Sequence, residues 1–278
     1  MDKGNPNLLR WPGGKQWAVK RLVPLVRVHL SGTYFEPFLG GGALYFALRP
    51  NRAILSDINP ELINTYRMVR EHPRAVIRRL RRMSVSAKSY YIIRAEDGGS
   101  EIERAARFLY LNRTCFGGIY RLNQEGRFNV PYGGGDRNPA LLWERGVLLS
   151  AAEALGAADL EASDFEPVID RAKAGDVVYC DPTYTVTHDH NGFIRYNERN
   201  FSWSDQERLS LAISRAHKRG ATIVLTNAHH RLIRRLFDAP RAWILHRHSS
   251  VSCSAEFRRP VSEYLLLWPG EAGSEGRL

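Results

Sequence analysis

Asp181-Pro182-Thr183-Tyr184 directly follows Asp176-Val177-Val178-Tyr179-Cys180, a short apolar run that reads as a buried strand. A carboxylate in a stiffened turn at the C-terminal end of such a strand lies where parallel sheets bind their ligands. Asp181 and a turn carbonyl offer acceptors for a planar amine, and Tyr184 offers a flat ring. The bland alternative is an ordinary β-turn, for which Asp-Pro is common. A second constellation is Glu36-Pro37-Phe38-Leu39-Gly40-Gly41-Gly42, placed between an apolar run and a helical one. Glycines there let the main chain approach a ligand closely. Asp57 follows Gly40 by seventeen residues and ends the next apolar run, near the spacing at which an acid takes ribose hydroxyls. A tight turn needs the same glycines, but strand, turn, helix and acid together favour a nucleoside. The chain has neither G-x-G-x-x-G nor G-x-x-x-x-G-K-[ST] at this turn, which counts against dinucleotides and nucleotide hydrolysis.

The elements that must position these residues alternate in type. Strands are expected at Thr33–Phe38 and Ala53–Asp57, and a helix at Ala43–Leu48. Asn59-Pro60 opens another helix with Pro at its first position. That unit seeds a parallel sheet. From Leu62 to about Leu111 the period is helical and Arg-rich, broken at Asp97-Gly98-Gly99-Ser100, and residues 112–136 read as loop and hairpin. After Val147–Ser150 and Leu160–Asp164 strands return, at Asp176–Cys180, Ala221–Thr226 and Glu263–Trp268, with a helix over 204–219. The expected architecture is α/β, with residues 1–61 and 147–278 forming the sheet domain and 62–146 a mostly helical insertion. The stretch from Pro269 reads as a frayed tail.

The net charge is +11 over 278 residues, and it is localised. Arg67–Arg107 carries a surplus of six and Arg231–Arg259 a surplus of five, while the remainder balances. A localised basic surplus is the footprint of a nucleic-acid binder, although a solvated helix face gives the same count. No run of about 18 apolar residues suits a membrane span. Met1–Pro6 carries no apolar core of the secretory kind, and three scattered cysteines suit neither a disulfide framework nor zinc, so the expected compartment is the cytoplasm. His188 and His190 lack a third ligand nearby, so no metal is expected. His229, His230, His246 and His248 read as surface or backbone-facing residues, and Cys180 as core.

From Leu8 to about Trp268 the sequence resembles the DNA adenine-N6 methyltransferases of the Dam (D12) family, with five motifs in the family's order. Leu9-Arg10-Trp11-Pro12-Gly13-Gly14-Lys15 looks like the N-terminal cofactor motif, residues 36–42 like the F-x-G-x-G turn, and Ser56-Asp57-Ile58-Asn59 like the acidic strand end. Phe108–Arg113 with Gly126–Gly133 is similar to the target-recognition region, and Val178–Tyr184 to the D-P-P-Y catalytic motif. The resemblance implies a Rossmann-like S-adenosylmethionine-dependent methyltransferase sheet with an inserted DNA-recognition domain. It implies that Trp11, Lys15, Glu36, Phe38, Gly40, Gly42, Asp57, Asp164, Phe165 and Asp181 bind S-adenosylmethionine, and that Asp181, Pro182 and Tyr184 handle the target amine. It places Arg10, Phe116, Ile119, Arg121, Asn123 and Pro131 against double-stranded DNA, with G-A-T-C as the site they suit. The target adenine is expected to flip out of the duplex, under a lid formed by 185–201 with Phe193, Tyr196 and Phe201. A monomer is expected, free of metal and membrane, and a paired restriction enzyme suits the family.

Thr183 stands where the family motif has a second proline. The hydrogen-bonding and stacking groups survive, and backbone stiffness is lost. Two alternatives follow: an N4-cytosine methyltransferase on the same motif architecture, against which Asp rather than Ser at 181 argues, and a DNA-binding homologue without turnover.

Overall fold

A computed structural model describes residues 8–135, 142, 144–185, 201–248 and 260–270. In chain order the elements are α1 (Val19–Arg27), β1 (Tyr34–Glu36), α2 (Ala43–Leu48), β2 (Ala53–Asp57), α3 (Pro60–Glu71), α4 (Pro73–Arg81), α5 (Ala87–Ala95) and α6 (Glu101–Thr114). A short 3-10 turn (Phe116–Gly118) precedes α7 (Arg145–Leu155), β3 (Ala158–Ala162), α8 (Phe165–Ile169), β4 (Val177–Cys180) and α9 (Trp203–Lys218). The chain ends with β5 (Thr222–Ala228), α10 (Arg231–Leu236), β6 (Arg241–His248) and β7 (Pro260–Trp268). Two compact units result: Met1–Gln16, Gly40–Arg49 and Asn59–Ala162 form one, and Trp17–Leu39, Pro50–Ile58 and Ser163–Leu278 the other.

The second unit carries the mostly parallel sheet, its strands running in the order β2-β1-β4-β5-β7-β6. β1 pairs in parallel with β2 and β4, and β4 with β5; β7 pairs antiparallel with both β5 and β6. Every residue of β4 and β5 is buried, as continuous apolar runs in a sheet covered on both faces require. Phe35, Val178, Ile223 and Leu225 meet Leu209, Ala212, Ile213 and Ala216 of α9 in one core, and the spacing of that helical set defines a single buried stripe. α9 starts at a capping box, Ser202 exchanging bonds with Asp205.

The first unit is a helical body. Asn59 caps α3 by accepting from the N–H groups of Glu61 and Leu62 at 3.1 and 3.2 Å. Ser100 and Glu103 form the capping box of α6. In α4, Val76, Ile77 and Leu80 are buried, whereas Arg74, Arg78 and Arg81, and Arg82 just past its end, are exposed. The basic run is therefore the outer face of an amphipathic helix.

Val147–Ser150 lies inside helix α7, where its buried neighbours Ala151 and Leu155 continue a helical stripe. Two sequence expectations change. The helix before the hairpin runs to Thr114, so Asn112 and Arg113 are helical. α1, α10 and β6 were not anticipated; β6 has a mixed polar sequence with Trp243 and Ile244 exposed, typical of an edge strand. His188, His190, Phe193, Tyr196 and residues 271–278 lie outside the described residues. Among the described residues no helix is long and apolar enough to cross a membrane, and no three His, Cys, Asp or Glu side chains gather as a metal site.

Candidate active site

In the second unit, three neighbouring parallel strands end in acids. Asp57 closes β2, Glu36 closes β1, and Asp181 follows the last residue of β4. This is the carboxyl edge of the sheet, where open α/β folds take their ligands. Glu36 is 3% exposed and accepts from the Tyr34 hydroxyl at 2.8 Å. Leu39 N–H donates to the carbonyl of Ser56 at 2.9 Å, carrying the pairing of β1 with β2 past the strand end and into the glycine turn.

Asp181 takes a hydrogen bond on Oδ1 from the Thr226 hydroxyl at 2.8 Å. Thr226 lies 3.1 Å from the buried hydroxyl of Tyr179. Pro182 is buried, Thr183 exposed and Tyr184 half-buried. The Tyr184 hydroxyl donates to Oε2 of Glu263, a carboxylate that is 1% exposed on β7, at 2.8 Å. Burial, then the negative charges of Asp181 and Glu263, pushes the Tyr184 phenol well above its usual range. It stays a neutral donor. Cys180 is fully buried, and burial with Asp181 and Glu36 pushes its thiol up as well, so it is a core residue and not a nucleophile. Next to the motif, Thr185, Gln206 and Asn227 form a buried polar chain, with Gln206 Nε2 to Thr185 Oγ1 at 2.9 Å and Asn227 Nδ2 to Gln206 Oε1 at 3.0 Å.

Asp164 caps α8, its Oδ1 accepting from Glu166 N–H at 2.9 Å and from Arg208 Nη2 at 2.9 Å. Phe165 is buried. Phe38 stacks on it with centroids 5.3 Å apart, Phe201 tilts against it at 5.7 Å, and the Arg208 guanidinium lies 4.9 Å from its centroid. Arg208 also bonds Glu166 and Asp205. Hydrogen bonds from Arg215 and Arg208 hold the Glu166 carboxyl below its ordinary value. His229 bonds Ser262 Oγ at 2.8 Å and meets Tyr264 edge-on, and His230 caps α10.

In the first unit, Gly40 has φ +46°, and a Cβ there would lie 2.7 Å from the Trp11 indole nitrogen. Glycine is required on both counts. The Gly40 carbonyl accepts from the buried Tyr66 hydroxyl at 2.8 Å, and Phe46 N–H bonds the carbonyl of Gly42 at 3.0 Å as α2 begins. Lys15 is buried and donates from Nζ to the Gly13 carbonyl at 2.8 Å. Trp11 in turn stacks on Tyr120, centroids 6.0 Å apart and planes 18° apart.

The recognition segment of the same unit is a hairpin pinned through its main chain. Phe116 N–H bonds Pro131, Gly133 N–H bonds Thr114, Asn123 N–H bonds Arg127, and Asn129 N–H bonds Arg121. Phe116 (47% exposed), Arg121 and Pro131 are exposed, and Ile119 is half-buried. Arg121 Nε donates to Asn129 Oδ1 at 2.8 Å. Asn123 Oδ1 accepts from Glu125 and Arg127 N–H at 3.0 and 2.9 Å, so that side-chain oxygen builds the turn. The main chain of Arg10 is held by Asn112, which accepts from its N–H at 2.9 Å and donates to its carbonyl at 2.7 Å. Asn112 also donates to Gly118 at 3.3 Å. The Arg10 side chain is exposed.

Residues 11–252 match the family described as D12 class N6 adenine-specific DNA methyltransferase. The chain belongs to that family. It is 35% identical over 253 residues to a type II methyltransferase of Lactococcus lactis subsp. cremoris, covering 85% of this chain and 87% of the relative. It is 32% identical over 267 residues to a DNA N-6-adenine-methyltransferase of Escherichia phage P1, covering 93% of this chain but 35% of that longer protein. A DNA adenine methylase of Vibrio cholerae is 31% identical over 276 residues, 96% of this chain and 97% of its own. The enzyme is an adenine-specific DNA methyltransferase, and its reaction places a methyl group on adenine N6 in DNA. The family match selects adenine over the cytosine N4 alternative.

The sequence reading had missed Thr226, Glu263, Arg208 and the clamp formed by Asn112. The available signal was an acid or hydroxyl at a position flanked by apolar strand residues: Glu263 ahead of Tyr264–Trp268, and Thr226-Asn227 after Ile223-Val224-Leu225. A polar residue buried in such a strand must have a partner.

Proposed function

We propose that the enzyme takes its methyl group from S-adenosylmethionine and delivers it to an adenine swung out of a short double-stranded site. Bound S-adenosylmethionine supplies an electrophilic methyl on a sulfonium centre. The donor set at the sheet edge fits that cofactor: Glu36, Asp57 and Asp181 offer acceptors for ammonium and ribose hydroxyl groups and a negative field for the sulfonium. The family resemblance assigns Trp11, Lys15, Gly40 and Gly42 to the same cofactor. Asp164 and Phe165 would lie near its adenine, with Phe38 stacked on Phe165.

Adenine N6 is a poor nucleophile because its lone pair is delocalised into the ring. Asp181 and the Pro182 carbonyl would accept its two hydrogens and hold the nitrogen nearer to tetrahedral, while Tyr184 stacks on the base. Positioning and fixed charge do this work without a covalent enzyme intermediate. Flipping follows from access, since N6 in a stacked duplex cannot be attacked in line, and it costs a few kcal/mol. Arg10 and Arg121 would read guanines, Ile119 and Pro131 a thymine methyl, and Phe116 and Asn123 would support the contact, which suits G-A-T-C. The reading includes a monomeric enzyme acting in the cytoplasm, where its DNA would be.

The observation that carries the proposal is the Asp181 carboxylate at the carboxyl edge, oriented by Thr226. Methylation-sensitive sequencing of DNA from cells expressing the chain reports activity, base and site together. Asp181→Ala is expected to lower turnover at least about 100-fold. Turnover within about tenfold of wild type would sink the assignment.

A further inference from the structure

We propose that Glu263 is a positioning residue for methyl transfer: its buried carboxylate fixes the Tyr184 ring through the phenol hydroxyl. Together with Thr226 it would supply from neighbouring strands the rigidity that a second proline gives the family's turn. The inference rests on the reading of Asp181 and Tyr184 as the pair that handles the target base.

The strand register makes the two anchors one device. Glu263 lies opposite Ala228 in the antiparallel pair of β5 and β7. Thr226 is two residues before Ala228, so Thr226 and Glu263 project from the same face of the sheet. One takes Asp181 at 2.8 Å and the other takes Tyr184 at 2.8 Å. Both residues of the base-handling pair are thus tied to a single rigid surface.

Packing does not account for an acid at 263. It is 1% exposed in a strand that continues Tyr264-Leu265-Leu266-Leu267, and an apolar side chain of that size would bury at lower cost. Bonded to a hydroxyl, a carboxylate makes one of the stronger hydrogen bonds available to a neutral donor. Tyrosine swings its ring through χ1, and a bond at the far end of the ring restrains that swing. The main chain between the pair needs such help. Thr183 is exposed and makes no hydrogen bond among the described residues, and threonine does not lock φ as proline does.

The test uses the full chain, its methylated site found by sequencing, and steady-state kinetics on a duplex carrying that site. Tyr184→Phe and Glu263→Leu are each expected to lower kcat roughly 10- to 100-fold, with KM for S-adenosylmethionine unchanged. Glu263→Gln keeps an acceptor for the phenol and is expected to recover most of the loss. The double variant Tyr184→Phe with Glu263→Leu should lose no more than the worse single variant, because both remove one bond. Should Glu263→Leu not fold, Tyr184→Phe and Glu263→Gln decide the matter without it. Tyr184→Phe within about twofold of wild type, losses that add, or Gln as damaging as Leu would each overturn the anchor. An inactive Asp181→Ala beside a normal Tyr184→Phe removes the anchor alone. An active Asp181→Ala removes the base-handling reading itself.

Discussion

Arg121, Phe116 and Pro131 stand exposed on a hairpin held mainly by its main chain, with Arg121 bonded to Asn129 through one side-chain nitrogen, whereas Asp181 and Tyr184 are tied through their side chains to Thr226 and Glu263. Groups that read a base edge have to reach out of the protein, so the fold fixes the backbone beneath them and leaves their tips to the ligand. Groups that act on a reacting nitrogen gain from being fixed before the substrate arrives, because no reorganisation is then needed in the transition state. The difference makes separable demands. Damage beneath the hairpin should alter which sequence is chosen, and damage behind the catalytic corner should alter how fast it is methylated.

The largest effect is expected beneath the hairpin. Gly118 has φ +67°, and a Cβ there would collide with Cβ of Arg10. Gly118→Val combines a left-handed backbone with overpacking, for a loss of roughly 2–5 kcal/mol of stability. Thermal or urea unfolding measures it. If Arg10 reads a base as proposed, the surviving enzyme should discriminate less well at that position, while kcat on the best site is retained. Full discrimination with a lowered kcat would merge the two regions.

Arg121→Ala comes next. If Arg121 makes a bidentate contact to a guanine, its loss should relax preference at one base pair by roughly 1–3 kcal/mol. Relative kcat/KM on duplexes substituted at each position gives the number. Uniform weakening at all sites with a shallower salt dependence would mean a phosphate contact and would remove most of the case for G-A-T-C. Its bond to Asn129 orients the guanidinium while leaving further donors available.

Thr226→Val probes the other side. The substitution keeps the shape and removes the hydroxyl that bonds Asp181 and Tyr179. A drop of about tenfold in kcat is expected, the equivalent of one net hydrogen bond, with sequence preference untouched. A shift in preference would show that the catalytic corner also selects.

How far these features were legible follows from where their partners lie in the chain. The glycine turn, Asp57 and the Asp181–Tyr184 motif each carry their signal within a few residues, and the sheet strands around them were read by periodicity. Thr226 and Glu263 are 45 and 79 residues from the groups they hold. Strand order and register bring them there, and neither is encoded in local spacing. Phe165 reads from the sequence, through the family resemblance, as an aromatic suited to the cofactor's adenine. Its cover by Phe38 and Arg208 could not be seen, because cation–π and ring-stacking partners have no sequence signature. Asn123 carries a local signal: Asn-Gln-Glu-Gly is a turn pattern inside the stretch read as loop and hairpin, and its side-chain oxygen takes two main-chain bonds of that turn.

The smallest effect is the most discriminating for the catalytic corner. Thr183→Pro restores the family's second proline at an exposed position whose N–H makes no hydrogen bond among the described residues. Proline then reduces the freedom of the unfolded chain at no cost in native bonds, for a gain of about 0.4–1 kcal/mol. A chain of this size should melt about 1–3 °C higher, measurable by calorimetry. The effect on rate depends on what holds the turn. With Asp181 and Tyr184 already fixed by Thr226 and Glu263, a stiffer backbone has little left to organise, and kcat should change by less than about threefold. In a Glu263→Leu background the same proline should matter more, because the side-chain restraint on Tyr184 is gone. A rise of tenfold or more in the otherwise unaltered enzyme would mean that threonine at 183 had cost it turnover. The corner would then depend on its backbone as the hairpin does, and the contrast between the two regions would fail.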